Sequence, residues 1–284
     1  MTANLLDGRA LSQKMKERLA QEVRDFQSQY SYGPTLAVLL VGEDPASQSY
    51  VKAINKACTD AEIGCNQTVL PASTTEGELR GKLRELNEDP RASGIIVQMP
   101  LPKPLTQDMV TDVLSPDKDV DGICPASAGR LALGQEGFVP NTPMGGLELL
   151  KGYGIELVGK RAVVVGRSNI VGKPMALLLL QEHCTVTICH TRTRDLPAVT
   201  READILAAAI GKAGAVTGDM IKPGAVVVDF GINPGEKGIV GDVDFGAAVE
   251  VASWITPVPG GTGPMTNVML MRNTLRAARK LAAR

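Results

Sequence analysis

KRAVVVGRSNIVGKPMALLLLQEH, residues 160–183, decides the fold. The apolar run RAVVV ending in glycine is the pattern of a strand covered on both faces, and VGKPMALLLLQEH after it reads as a helix. Between them lie Gly166, Arg167, Ser168, Asn169, Ile170, Val171, Gly172, Lys173 and Pro174, where backbone amides and the helix dipole can hold a pyrophosphate. The string departs from G-x-G-x-x-G: Ser168 stands at the second glycine, and Gly172 falls later than the usual third. It is either a dinucleotide loop or a structural turn that starts a helix. The next strand, TVTICH, ends in His190, Thr191, Arg192, Thr193 and Arg194 rather than in the acidic residue that grips a free ribose hydroxyl. Arg167 and Arg192 suit a 2′-phosphate, which favours NADP, although each taken alone also reads as a solvated surface charge.

The same alternation continues outward. Downstream, ADILAAAIG, AVVVDFG and SWITPV read as further strands, and NVMLMRNTLRAARKLAAR as an amphipathic helix expected to return to the first domain. Upstream, Leu11, Met15, Leu19, Val23 and Phe26 put one apolar stripe on a helix that ends near Gly33-Pro34. TLAVLLVG then reads as a buried parallel strand, followed by a helix from about Ala46 to Ile63, the strand CNQTVLPA, the helix EGELRGKLRELNED and the buried strand GIIVQMP. LLDG reads as a short strand and turn, and PNTPMGGLELLKGYG as a connecting segment that leads into a helix. The boundary is placed near Pro140, giving one domain of residues 1–140 and 267–284 and another of 141–266.

Composition bounds the function. The 284 residues suit two domains, and 44% hydrophobic with 21% charged residues exclude a long disordered chain. A net charge of −1 recommends neither nucleic acid nor an anionic membrane as partner, leaving a small molecule. Five cysteines without a C-x-x-C pair suit reduced thiols, and two histidines argue against zinc. MTANLLDGRA has neither a basic leader nor an apolar core, so a cytoplasmic protein is expected.

Six strings, VGEDPASQSYV (41–51), VQMPLP (97–102), DKDVDG (117–122), GRSNIVGKP (166–174), DFGIN (229–233) and TPVPGGTGPMT (256–266), make nearly the whole chain resemble the bifunctional methylenetetrahydrofolate dehydrogenase/cyclohydrolase family, FolD. The resemblance implies an α/β folate-binding domain and a Rossmann-like, doubly wound NADP domain across a cleft, commonly in a homodimer. It implies oxidation of the methylene bridge of tetrahydrofolate by hydride transfer to NADP, then opening of the methenyl product by water. By motif it places Tyr50, Gln98 and Asp121 at the folate, with Asp121 on the amino-pyrimidine edge, and Pro259, Gly260 and Gly261 against folate and nicotinamide. Gly166, Arg167, Ser168, Ile170, Gly172, Pro174, His190, Thr191, Arg192, Gly211 and Ile232 form the implied cofactor set. Asp119 and Asp121 share one turn and either could be a cap, with the DVDG match making Asp121 the better ligand candidate; Asp117 and Lys118 read as solvated charges.

One position breaks the pattern. The family carries a catalytic lysine four residues after its tyrosine, and here that position is Ile54. Residues i and i+4 lie about 40° apart on a helix, so Tyr50 and Ile54 are expected on one face, while Lys52 and Lys56 fall about 160° and 120° away. An isoleucine supplies no donor, proton carrier or charge, so the hydrolytic half of the work is expected to suffer most. A shifted helix, or rescue by the long stem of Lys56, is the alternative at this residue. At the level of function, the alternatives are transfer of the methylene group to another nucleophile and a non-catalytic folate or NADP sensor.

Overall fold

In a computed structural model, which describes residues 2–236 and 238–283, the chain opens with a short strand, β1 (Asn4–Leu5), and a long helix, α1 (Gly8–Tyr30). It then alternates through β2 (Thr35–Val41), α2 (Pro45–Asp60), β3 (Gly64–Leu70), α3 (Glu76–Glu88) and β4 (Gly94–Val97), followed by the short helices α4 (Gln107–Thr111) and α5 (Pro125–Ala132). A second run contains α6 (Asn141–Gly152), β5 (Arg161–Val165), α7 (Gly172–Gln181), β6 (Thr185–Cys189), α8 (Leu196–Thr200), β7 (Ile205–Ala208) and β8 (Val226–Asp229). The hairpin β9 (Asn233–Gly235) and β10 (Gly238–Val240), then α9 (Phe245–Ala248), β11 (Trp254–Ile255) and α10 (Thr262–Ala282), complete it. The chain divides into two units, residues 14–139 with 267–283, and residues 2–13 with 140–266.

The first unit is a three-layer sandwich on a parallel sheet of order β3-β2-β4. Leu36, Val38 and Leu40 of β2 face one layer, with Leu19, Val23 and Phe26 of α1, Val51 and Ile54 of α2, and Leu270 and Leu275 of α10. Ala37, Leu39 and Val41 face the other, against Leu79, Leu83 and Leu86 of α3 and Val110 of α4. Burial on both faces is why TLAVLLV has no polar alternation. The end of α10 joins this unit through Asn273 Nδ2, which donates to Val120 O at 3.0 Å, and through Lys280, paired with Asp117 at 2.6 Å.

The second unit has six parallel strands in the order β1-β11-β8-β7-β5-β6. Counted from β5, the order is 2-1-3-4-5, a doubly wound sheet whose direction of winding reverses between β5 and β7. Two expectations are corrected here. Residues 2–13 belong to this unit and not to the first, because β1 pairs with β11 and Leu6 N donates to Ile255 O at 2.9 Å; a two-residue strand has too little pattern to reveal its partner. PNTPMGGLELLKGYG is helix almost throughout: α6 starts at Asn141, directly after Pro140, and buries Gly145 and Gly146. Packing explains both glycines: a Cβ on Gly146 would lie 2.4 Å from the Phe230 ring, and one on Gly145 would lie 2.9 Å from Met265 Cβ.

Candidate active site

In the first unit the candidate residues come from the carboxyl ends of the strands. Three residues separate β2 from α2, with Pro45 at the helix opening and Asp44 as cap, accepting from Ser47 N at 2.8 Å. Tyr50, one turn in, is half-buried and packs on the apolar cluster that contains Ile54. Gln98 follows β4; its backbone N donates to Leu39 O at 2.8 Å and its Nε2 to Met99 O at 2.6 Å. The 117–122 segment runs beside β4 through a parallel bridge between Ile95 and Asp119, which carries Asp121 toward the same end of the sheet. Burial, and then the carboxylate of Asp121, push the Tyr50 hydroxyl well above its ordinary value, so the phenol stays protonated and acts as a donor. The structure thus brings Tyr50 and Asp121 together.

Ile54 shares the Tyr50 cluster but has no exposed surface at all. Position 54 therefore presents hydrocarbon packed into the sheet, and α2 runs unbroken through it. Lys52 and Lys56 are exposed. Sequence reading passes over Ser47, whose Oγ is buried without a hydrogen-bond partner among the described residues, as is Oδ1 of Asn267. Such groups are what a bound polar ligand satisfies. The only signal for Ser47 was its place inside VGEDPASQSYV.

The acidic neighbours divide by role. Asp119 is fully buried and accepts from Ile123 N at 3.0 Å, Cys124 N at 2.8 Å and Ser127 Oγ at 2.7 Å, so it is a structural cap. Lys118, expected in solvent, is instead 6% exposed. Its Nζ donates to Leu86 O at 3.2 Å and Asp89 O at 2.7 Å, closing the carboxyl end of α3, where a cation is favoured. Asp117 pairs with Lys280 rather than standing in solvent alone.

In the second unit the candidate cofactor loop lies where the winding reverses. Val165, Gly166, Arg167 and Ser168 after β5, His190 and Thr191 after β6, and Ala209 and Ile210 after β7 line a cavity of about 290 Å³. Gly166 has φ +134°, and a Cβ there would lie 2.1 Å from Ala209 O; a Cβ on Gly172 would lie 2.2 Å from Gly166 O. Only glycine permits this close folding of the loop. Ser168 fills the missing glycine's place by accepting from Val171 N at 3.1 Å and Gly172 N at 3.2 Å. Arg167 lines the cavity, whereas Arg192 is exposed outside it, with its backbone N donating to His190 Nδ1 at 3.1 Å. Ile170 and Pro174 do not line it: Ile170 is exposed, and Pro174 is buried in the first turn of α7. A cradle of close-packed glycines at the amino end of a ten-residue helix fits a dinucleotide phosphate.

Gly211 and Ile232 take different places. Asp242, fully buried, accepts from Ile210 N at 2.5 Å, Gly211 N at 2.9 Å and Lys212 N at 2.9 Å, and from Asn233 Nδ2 at 2.9 Å. Asp229 accepts from the amides of Gly231, Asp242 and Val243 at 2.7–3.0 Å. This carboxylate pair ties the loop after β7 to the DFGIN segment. Residues 229 and 242 are too far apart in sequence for any local pattern to join them. Ile232 is exposed and lines a second cavity of about 180 Å³ with Arg9, Pro259, Gly260 and Gly261. There Gly260 O accepts from Arg9 N at 3.1 Å, and Gly261 N donates to Pro257 O at 2.7 Å. Among the described residues no group of His, Cys, Asp and Glu is arranged to hold a metal, and no helix is long and apolar enough to cross a membrane.

A parallel α/β unit with polar residues at its strand ends, joined in one chain to a doubly wound unit with a glycine cradle at its switch point, defines a two-domain α/β enzyme of the dinucleotide-dependent class. Residues 6–121 match the model of the tetrahydrofolate dehydrogenase/cyclohydrolase catalytic domain, and residues 140–282 that of the NAD(P)-binding domain of the same family. The chain belongs to the tetrahydrofolate dehydrogenase/cyclohydrolase family and is a folate-dependent one-carbon enzyme. It is 53% identical over 280 residues to the bifunctional protein FolD of Chloroflexus aurantiacus, covering 98% of each chain. It is 52% identical to that of Moorella thermoacetica, covering 99% of this chain and 100% of the other. Among solved structures, the bifunctional enzyme FolD from Campylobacter jejuni superposes with TM-score 0.96 at 47% identity, covering 98% of this chain and 99% of that one. The Trypanosoma brucei methylenetetrahydrofolate dehydrogenase-cyclohydrolase, complexed with NADP and an inhibitor, gives 0.95 at 36% identity, covering 100% and 99%.

Proposed function

We propose that the chain oxidises 5,10-methylenetetrahydrofolate with NADP as the hydride acceptor, and that it leaves opening of the methenyl product close to the uncatalysed rate. The observation that carries this reading is Ile54: a buried hydrocarbon stands where the family resemblance implies a catalytic ammonium. Tyr50, Gln98 and Asp121 hold the folate, with Tyr50 as a neutral donor and Asp121 accepting from the amino-pyrimidine edge. Gly166, Ser168 and Gly172 hold the cofactor's phosphates, and Arg167 selects its 2′-phosphate. Bound NADP supplies the hydride acceptor. The chain's part is to orient the methylene carbon toward it and keep water away, work that needs no ammonium at position 54. Transfer of the methylene group to another nucleophile, and sensing without catalysis, gain no support from near-full-length identity to proteins named bifunctional FolD.

Reduced-cofactor absorbance with methylenetetrahydrofolate, measured with NADP and with NAD, tests this reading. Turnover with NADP well above NAD is expected; equal kcat/KM for the two overturns the role given to Arg167, and no turnover with either overturns the dehydrogenase reading. We also assign the protein to the cytoplasm, as a homodimer. Its five thiols are free, which supports the first. The outer edge of β3 is unpaired among the described residues and Val69 beside it is 53% exposed, which supports the second. Light scattering on the eluting protein should give twice the chain mass.

A further inference from the structure

The last turn of α2 and the start of β3 bring two thiols together. Cys58 is 1% exposed; Cys65 is half-buried and packs on the same apolar cluster. Cys58 and Cys65 share this apolar layer, close enough for their thiols to interact, and the two are not disulfide-bonded. Neighbouring contacts fix this meeting. α2 runs against the direction of β3, and one turn back along the helix Asn55 Nδ2 donates to Gln67 Oε1 at 3.2 Å. The connecting turn is closed by Ile63 N and Ala61 N, which donate to Cys58 O at 2.9 and 3.2 Å. Of the other thiols, Cys124 and Cys184 donate to the carbonyls of Leu114 and Leu157, and Cys189 lies beside Thr193.

The two members are unequal. Cys58 lies in the apolar layer at the negative end of a helix, both of which disfavour a thiolate there. Cys65 is the more accessible, and the protonated Cys58 thiol beside it favours its ionised form, holding it below the ordinary thiol value. A nucleophilic thiol therefore stands beside a protonated resolving one.

We propose that Cys58 and Cys65 are a peroxide-oxidisable dithiol, a modification site on the helix that carries Tyr50. The Cys65 thiolate attacks a hydroperoxide; an S–O bond forms, the O–O bond breaks and the leaving oxygen takes a proton, giving Cys65 sulfenic acid and an alcohol or water. Cys58 then attacks that sulfur; the S–S bond forms, the S–O bond breaks, and the hydroxyl leaves as water with the Cys58 proton. Two thiols lose two electrons to one peroxide, and an external thiol reverses the change by exchange.

The test is equimolar hydrogen peroxide on the full-length reduced protein, followed by thiol alkylation and tryptic mass mapping. Peptide 57–80 contains both cysteines and no other. It should appear unalkylated and lighter by two hydrogens, regaining both alkyl groups after reduction. Cys65→Ser should show no change at Cys58, and Cys58→Ala should leave a dimedone-reactive sulfenic acid on Cys65. Full alkylation of the peptide after peroxide, or sulfinic acid at Cys65 without a crosslink in the native protein, overturns the proposal. The native protein decides by itself should either variant fold poorly.

Discussion

After β5 the chain folds back through Gly166 and Gly172 into a cradle of backbone atoms. After β2 it enters α2, where the buried side chain at position 54 is, on the function proposed above, what decides whether the site has a proton carrier. The first region is built from close packing: Ser168 closes the loop, and Asp242 pins the segment after β7 through three amides. The second is built from one helix, its Asp44 cap and Tyr50, and on the proposed reading its chemistry turns on the single side chain at position 54. A site made of backbone fails when its geometry is disturbed. A site that depends on one side chain can change its chemistry while its fold persists.

The largest expected effect comes from breaking the backbone cradle. Gly166→Ala puts a methyl group against Ala209 O in a conformation that L residues avoid. With about 3 kcal/mol of strain, and about 1.4 kcal/mol per tenfold in affinity, dinucleotide binding should weaken roughly a hundredfold. Calorimetry with NADP(H) and with folate checks this: the first affinity should fall and the second hold. An unchanged dinucleotide affinity would remove the loop from the site.

Next is a pH effect confined to the same region. Burial pushes Asp229 up from 3.8 to about 6 in the folded chain. The folded state therefore binds a proton that the unfolded state has already released, so this contribution is fully present below pH 4 and is lost as pH rises through about 6. At about 1.36 kcal/mol per pKa unit, it removes roughly 3 kcal/mol between pH 4 and 7. Urea midpoints across that range should fall less steeply for Asp229→Asn than for the native chain; parallel profiles would contradict the assignment.

A smaller effect sharpens the contrast. Asp242→Asn keeps the shape but turns one accepting oxygen into a donor that faces backbone N–H groups, costing about 2 kcal/mol. Steady-state kinetics should show KM for the dinucleotide rising more than KM for the folate.

How far these regions are legible in the sequence follows from the same contrast. TLAVLLV and RAVVV announce strands buried on both faces, and the glycines of GRSNIVGKP fix the loop at a strand-helix junction. Asp229 and Asp242 escape notice because their partners are amides brought together only by β7, β8 and the hairpin after them. Lys118 reads as a surface charge because nothing in DKDVDG announces the carbonyls at the end of α3 that it caps. Helical spacing does put Ile54 on the Tyr50 face. Its complete burial depends on α1, α10 and the sheet closing over that face, which spacing along one helix does not contain.

The central claim, that position 54 separates the two reactions, is tested most directly by following methenyltetrahydrofolate opening and NADPH formation side by side in the native protein and in Ile54→Lys. A general acid–base group contributes about 100- to 10,000-fold. The native protein should open the methenyl compound near the buffer rate while still forming NADPH. The lysine variant, checked for folding by its melting profile because the site is buried, should raise opening by at least the lower figure. Opening by the native protein far above the buffer rate would contradict the claim.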